Sequence, residues 1–349
     1  MPHDALLTRP AAAQSTRATI APITPIAAIP PSAWAALFPE EARHFSRPAH
    51  ARPAAPFRDE LLDPEPGLDP MRAGRCAFIQ AFTRPLDQRF LAEFLVDFSW
   101  ASSLLEGSSY SVLDTAALVE CGERNPAKRM DEAVLALNHQ RAAQYLWAQR
   151  NLTLDNVCRM HALLTDDHGL SELCDCDHFL PVEQRGRPRE YQEISLHQSA
   201  YLPPFRPGTG HATALLERVL AIARTLHPVQ AAFYLLTRMA YIQSFSNGNK
   251  RTARIAANLP LLQSGMLPLS YVDVDKAEYL RGMVAFYELG STRIIERTFL
   301  RAYVRSIVRA SLPAEIRIGL DLDAIGEALI AYIDTGQGPS DAWAAGFLG

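Results

Sequence analysis

The sequence predicts a mostly α-helical protein with one small β element, and three observations lead there. First, long segments repeat apolar residues at helical spacing. The clearest runs from Met130 to Trp147, with Ala133, Leu135, Leu137, Ala142, Tyr145 and Leu146 apolar. Second, Thr153 stands as an N-cap for a helix through Leu164. Third, strand character is confined to Ile194 to Leu202, a short strand or hairpin closed by Pro203 and Pro204.

In chain order, residues 1–70 come first and hold thirteen of the 25 prolines. Such a Pro/Ala-rich composition buries too little apolar surface to offset ordering entropy. It predicts an extended or disordered extension, with short helical turns around Trp34 and Phe38. Residues 71–150 form an N-terminal helical region, where Phe90, Phe94, Val96, Phe98 and Trp100 recur at helical spacing before the Met130 helix. Residues 151–310 form the core. After the Thr153-capped helix, residues 165–212 are rich in turn formers. Helices are then predicted over Thr213 to Thr225, Val229 to Ile242, Arg251 to Ser264, Lys276 to Leu289 and Thr298 to Ala310. Residues 311–349 add a small C-terminal helical segment.

Composition limits the function classes. The 349 residues carry a formal net charge of −4, with 48% hydrophobic and 21% charged residues, as in a globular protein. No global basicity or aromatic-lined basic stripe argues for nucleic acid. Five scattered cysteines read as reduced thiols in a cytoplasmic protein. Cys174, Cys176 and His178 lack a second ligand pair at zinc spacing, so they read as a polar loop and no metal site is expected there. The uncharged run from Thr19 to Phe38 is broken by Pro22, Pro25, Pro30 and Pro31, which excludes a spanning helix or signal peptide. The expected compartment is the cytoplasm, with export as an effector the alternative for the Pro/Ala-rich N-terminus.

The chemistry lies in Gln243-Ser244-Phe245-Ser246-Asn247-Gly248-Asn249-Lys250-Arg251-Thr252-Ala253-Arg254. This is a polar turn between two helices. Gly248 and Asn249 tolerate left-handed backbone, so the turn can aim several N–H groups at one anion. The following helix adds the positive end of its macrodipole. Arg251 and Arg254, three apart, leave one face of the first turn and suit bidentate phosphate contact. Taken alone, a helix start with solvated arginines is an equal reading.

The segment resembles the Fic family motif, His-x-Phe-x-Asp/Glu-Gly-Asn-Gly/Lys-Arg-x-x-Arg. Phe245, Gly248, Asn249, Lys250, Arg251 and Arg254 fall on it in register. Upstream, Ser102-Ser103-Leu104-Leu105-Glu106-Gly107 resembles the family's inhibitory motif, Ser/Thr-x-x-x-Glu-Gly/Asn. Leu137-Asn138-His139 and His161 with Leu164 are also in the family's style. The resemblance covers residues 75–310 and implies a Fic-type helical core with a small β-hairpin flap over Ile194 to Pro204, Tyr201 included. That flap would hold a target protein's chain by strand addition. It further implies that Glu106, with Ser102 in the same motif, pairs with Arg254 and blocks productive seating of the ATP γ-phosphate.

Two positions depart from the motif. Gln243 stands where the family has the histidine that takes the proton from the target hydroxyl. An amide cannot accept a proton at neutral pH, and losing a general base costs about 10²–10⁴ in rate. Asn247 replaces the carboxylate that holds Mg²⁺ on the phosphates. An amide oxygen is the weaker ligand, so Mg²⁺ is doubtful here. The implied function is a nucleotide-binding relative of protein adenylyltransferases, which move AMP from ATP to protein hydroxyls, autoinhibited by Glu106 and altered by Gln243. The alternative is a catalytically inactive module binding nucleotide or a partner protein. The target protein and preferred nucleotide are not written in the sequence.

Overall fold

The computed structural model describes residues 31–80, 86–170, 177–311 and 322–337. Two short helices open it, α1 (Pro31–Leu37) and α2 (Pro39–Phe45), followed by a two-residue strand, β1 (Ala55–Pro56). Next come α3 (Pro70–Gln80), α4 (Gln88–Glu106), α5 (Val112–Ala116), α6 (Met130–Ala148) and α7 (Leu154–Leu164). The strand β2 (Tyr201–Leu202) precedes α8 (His211–Ala223), α9 (Pro228–Ile242), α10 (Asn249–Ala256) and α11 (Asn258–Gln263). The series ends with α12 (Lys276–Leu289), α13 (Arg293–Ser311) and α14 (Leu322–Thr335). The mostly helical prediction holds. No helix of the described residues is long and apolar enough to cross a membrane.

α9 is the central post. Every residue from Ala231 to Ile242 is buried, so the helix is enclosed all round. It packs on α8, α10, α11 and α12. α4 lies along α6, and α6 along α7, which brings the N-terminal helical region against the core. Local signals set several ends. Asp87 caps α4, its side chain accepting from Phe90 N–H, and Gly107, in left-handed backbone with φ 106°, stops it just after Glu106. The Thr153 hydroxyl accepts from Asn156 N–H as expected of an N-cap.

Several expectations need correction. The segment from residue 194 to 202 is not a hairpin. Its only strand, β2, pairs in parallel with β1, in the register Ala55 to Tyr201 and Pro56 to Leu202. Gln198 takes φ 65°, which interrupts the extended run, and prolines 203 and 204 lack donors to prolong a ladder.

The expected extended or disordered segment through residue 70 does not hold for residues 31–70; residues 1–30 lie outside the described residues. Trp34 and Phe38, one helical turn apart, bury against Ala285 and Ile294. Pro39 sits in the first turn of α2, where its missing N–H costs nothing. Leu61 and Leu62 enter the main core. The predicted helix from Arg251 to Ser264 is two helices, α10 and α11, meeting at Ala257, and it begins at Asn249. α13 starts at Arg293 rather than Thr298.

Candidate functional site: an arginine turn closed by a distant carboxylate

The turn begins where α9 ends. Gln243 leaves the helix in left-handed backbone, φ 46° and ψ 51°. Gly248, φ 73°, is the N-cap of α10. A Cβ there would lie 3.0 Å from Thr165 Cγ2 and 3.4 Å from His161 Nε2, so glycine is required by space as well as backbone. Asn249 and Lys250, expected in the loop, already belong to the helix.

Arg251 and Arg254 both project into the interior. Arg251 donates to Leu164 O at 2.9 Å and to His178 O at 2.7 Å. Arg254 donates from Nη2 to Glu106 Oε1 at 2.7 Å and from Nε to the Ser102 hydroxyl at 3.0 Å. Its guanidinium also stands over the Tyr279 ring, 5.7 Å from the centroid. Glu106 Oε2 is 3.9 Å from Arg251 Nε, so one carboxylate faces both arginines. Burial alone would raise the Glu106 carboxyl. Arg254, then Arg251 and Lys250, outweigh it and hold the group well below the usual carboxylate range. Arg254 is raised in turn, burial being overcome by Glu106. An acid in the last turn of a helix opposes the macrodipole, so Glu106 owes its place to the arginines. Its side chain keeps 14% of its surface exposed, against 0% for Arg254, so solvent reaches the pair from the Glu106 side.

The remaining site residues are tied to the protein itself. The Gln243 amide donates to Ala240 O at 2.6 Å and accepts from Asn249 Nδ2 at 3.0 Å. Asn249 also bonds both main-chain groups of Phe245, N–H to Oδ1 at 2.9 Å and Nδ2 to O at 2.7 Å, so it braces the turn from within. Asn247 accepts from Gly248 N–H through Oδ1 at 2.5 Å, while its Nδ2 donates to Asp177 O. A carboxylate at 247 could not make that donation. A neutral amide oxygen that already accepts one hydrogen bond makes position 247 a weaker ligand for a divalent cation than the carboxylate it replaces. Cys174 and Cys176 lie outside the described residues. His178 is half-buried, and no group of three metal-ligand side chains occurs among the described residues.

Of the two residues assigned to the flap, Tyr201 is buried. It stacks on Tyr241 at 4.8 Å and donates to Tyr241 O at 2.9 Å. Ile194 is half-buried outside any regular element. Two residues matter that sequence reasoning missed or left without a role. Arg189 donates through Nε to Gln243 O at 2.7 Å and through Nη1 to Gln192 O at 3.0 Å; its Nη2 donates to Pro204 O. The start of the turn and both arms of the flap thus meet on one guanidinium. His161 stacks on Phe245 with centroids 3.8 Å apart. Its Nδ1 accepts from Gly186 N–H at 2.9 Å, which leaves Nε2–H to donate to Asn247 O at 3.0 Å. Burial lowers its pKa to about 3, so the ring is neutral.

A helical core that presents two buried arginines at a helix start, closed by a carboxylate from a separate helix, defines the class. Residues 151–261 match the Fic/DOC family, and this part of the chain is a Fic/DOC domain. The protein adenylyltransferase Fic of Nematostella vectensis is 24% identical over 199 residues, covering 55% of this chain and 43% of that protein. The Drosophila melanogaster protein of the same description is 22% identical over 184 residues, covering 50% and 34%. The chain therefore spans less than half of these relatives' length. Among solved structures, Fic-1 of C. elegans superposes with a TM-score of 0.53 at 20% identity, covering 69% of this chain and 70% of that one. A Fic family protein of Desulfovibrio desulfuricans gives 0.53 at 19% identity, covering 80% and 84%. These likenesses carry the fold.

Proposed function

We propose that the turn from Gly248 to Arg254 binds the phosphates of ATP or a related nucleotide. The chain is then a relative of protein adenylyltransferases held closed by Glu106. The observation that carries this reading is the Arg254–Glu106 pair, 2.7 Å between groups 148 positions apart. A phosphate seated on Arg254 competes with that carboxylate for the same guanidinium. In the reaction of such enzymes, the target hydroxyl oxygen attacks the α-phosphorus, pyrophosphate leaves, and the hydroxyl proton passes to a base. Here Arg251, Arg254 and the α10 N-terminus would orient and stabilise the phosphates. Gln243 can orient a hydroxyl but cannot take its proton. No step is assigned to Mg²⁺, because position 247 offers an amide and no carboxylate.

A second reading is favoured by the Gln243 and Asn247 bonds. Both amides are committed to the main chain or to Asn249, as in a module that binds nucleotide or a partner protein without turnover. Labelled ATP separates the two. Glu106→Gly should tighten ATP binding about tenfold, a gain of about 1.4 kcal/mol. Unchanged affinity in a folded variant would remove the latch. AMP incorporation that stays at background when Gln243→His and Asn247→Asp are added, with ATP still bound, favours the silent module.

A further inference from the structure

The flap strand already has an occupant. Ala55 N–H donates to Ala200 O at 2.9 Å, and Phe57 N–H donates to Leu202 O at 3.1 Å. These are the bonds a foreign chain makes when it adds to a strand edge. Arg189 ties the chain before β2, at Gln192 O, and the chain after it, at Pro204 O, to one guanidinium. Among the described residues β2 pairs along one edge, and β1 lies on it.

The occupant is held by side chains more than by ladder. Prolines 53, 56, 203 and 204 limit the pairing to two residues. Arg52 donates to Gln198 O at 2.7 Å and lies 3.3 Å from Glu288, whose carboxylate also accepts from the Ser199 hydroxyl and Ala200 N–H, each at 2.8 Å. Phe57 stacks on Tyr241 at 5.3 Å, and Arg58 N–H donates to the Tyr241 hydroxyl at 2.7 Å. Tyr241 stands two residues before Gln243, so the strap follows the flap toward the site. Residues 52–63 contain no serine, threonine or tyrosine.

We infer that residues 52–58 are a tethered pseudo-target: a strand seated on the flap edge in the manner of a target chain, with no hydroxyl to receive AMP. The inference rests on the proposed function for the word target. The occupancy itself does not, since it concerns only who lies on the edge. A target must displace the strap, and the short ladder makes displacement feasible.

The test uses the full chain and a synthetic peptide of residues 50–60. Ala55→Pro removes one ladder donor, and Arg52→Ala removes the Gln198 and Glu288 ties, giving two routes to release. Amide exchange should quicken at Phe57 and Leu202 while α9 stays protected. The peptide should then bind either released variant at least about tenfold more tightly than the unmodified chain, whose own strap competes at high effective concentration. Equal affinity, or no binding to variants whose strap exchange has quickened, overturns the inference. This arm needs no ATP. A second arm places a hydroxyl in the strap, Phe57→Ser or Arg58→Ser, in the Glu106→Gly, Gln243→His, Asn247→Asp background. The added oxygen should attack the α-phosphorus and release pyrophosphate, leaving AMP on residue 57 or 58 by mass spectrometry. AMP on other residues but never on the strap overturns the inference. No transfer anywhere overturns the transferase reading instead, and the peptide arm then decides.

Discussion

Gln243 shows how one residue sets what a cradle can do. It takes a left-handed backbone position, donates to Ala240 O and accepts from Asn249, so its amide works as a brace. Gln243→His exchanges that brace for an imidazole able to accept a proton. With Glu106→Gly present, labelled AMP incorporation should rise about 10²-fold or more, the range of general-base catalysis. A triple variant with Asn247→Asp that binds ATP yet transfers nothing would count against this. Acidity reads out other residues. Glu106 is depressed in the fold, so its contribution is complete above the usual carboxylate range and disappears only as pH falls through the still lower folded value. The latch itself should therefore add no pH dependence to ATP affinity between about pH 8 and 5. His139 and His161 behave oppositely. Both are lowered to about 3, chiefly by burial. The unfolded chain binds these protons near pH 6.5 and the fold does not. Stability should thus fall with pH below that point, on the order of 1.4 kcal/mol per unit for each ring. Melting curves at pH 7.5, 6 and 5 check this; His161→Gln should take about 1.4 kcal/mol per unit off the slope, and an unchanged slope would refute the assignment.

At the scale of elements, α7, α9 and α10 converge on the turn while Arg189 clamps the flap to it. The Arg189 guanidinium donates to three main-chain carbonyls, 2.7 Å to Gln243 O and 3.0 Å to Gln192 O among them, and stands over the Phe205 ring. Lysine cannot reach three acceptors with a planar fork. Arg189→Lys should leave the global melt within about 1–2 kcal/mol yet loosen the flap, read as faster amide exchange over residues 199–205. Protection unchanged there would mean the arms are held otherwise. This element also shows what a sequence can disclose. α6, α7, α9 and α12 were legible from periodicity and caps, and the Arg251–Arg254 turn from its spacing. The Glu106 partner was legible only through family resemblance, since no local pattern links positions 148 apart. Arg189 left no trace, because a side chain that serves backbone carbonyls needs no complementary residue type. The parallel β1–β2 pair was hidden for a related reason: two residues on each strand, bounded by prolines, carry no alternation to read.

Over the whole molecule, residues 31–70 form a strap that runs from the α12–α13 junction to the flap and along α9. Composition misled here. Prolines that break a helix interior are harmless in a first turn or an extended arm, so a Pro-rich segment can pack if a few large residues anchor it. The main anchor on the core side is Arg238, fully buried in α9. It donates to Leu61 O at 3.1 Å, Asp63 O at 3.1 Å and Pro66 O at 2.5 Å, and lies 4.7 Å from the Phe286 ring centroid. Its Nη1 donates to the Thr237 hydroxyl, and burial lowers its pKa to about 10, so it remains charged at neutral pH. A buried charge satisfied by carbonyl dipoles fixes the course of the chain that supplies them. Arg238→Met keeps most of the volume and removes the charge, but leaves those carbonyls without a donor at the α9 surface. An unsatisfied buried acceptor costs about 1–3 kcal/mol, offset in part by the lost cost of burying the guanidinium. A net loss of about 2–3 kcal/mol is expected, with the melting temperature lower by roughly 3–4 °C for a chain of this size. The loss should be local in origin. Amide exchange should rise first over residues 58–68 and then at the β1–β2 ladder, while the Arg254–Glu106 region keeps its protection. Should α9 and α10 open together with the strap, the strap is part of one cooperative unit with the cradle, and displacing it would open the proposed nucleotide site as well as the flap.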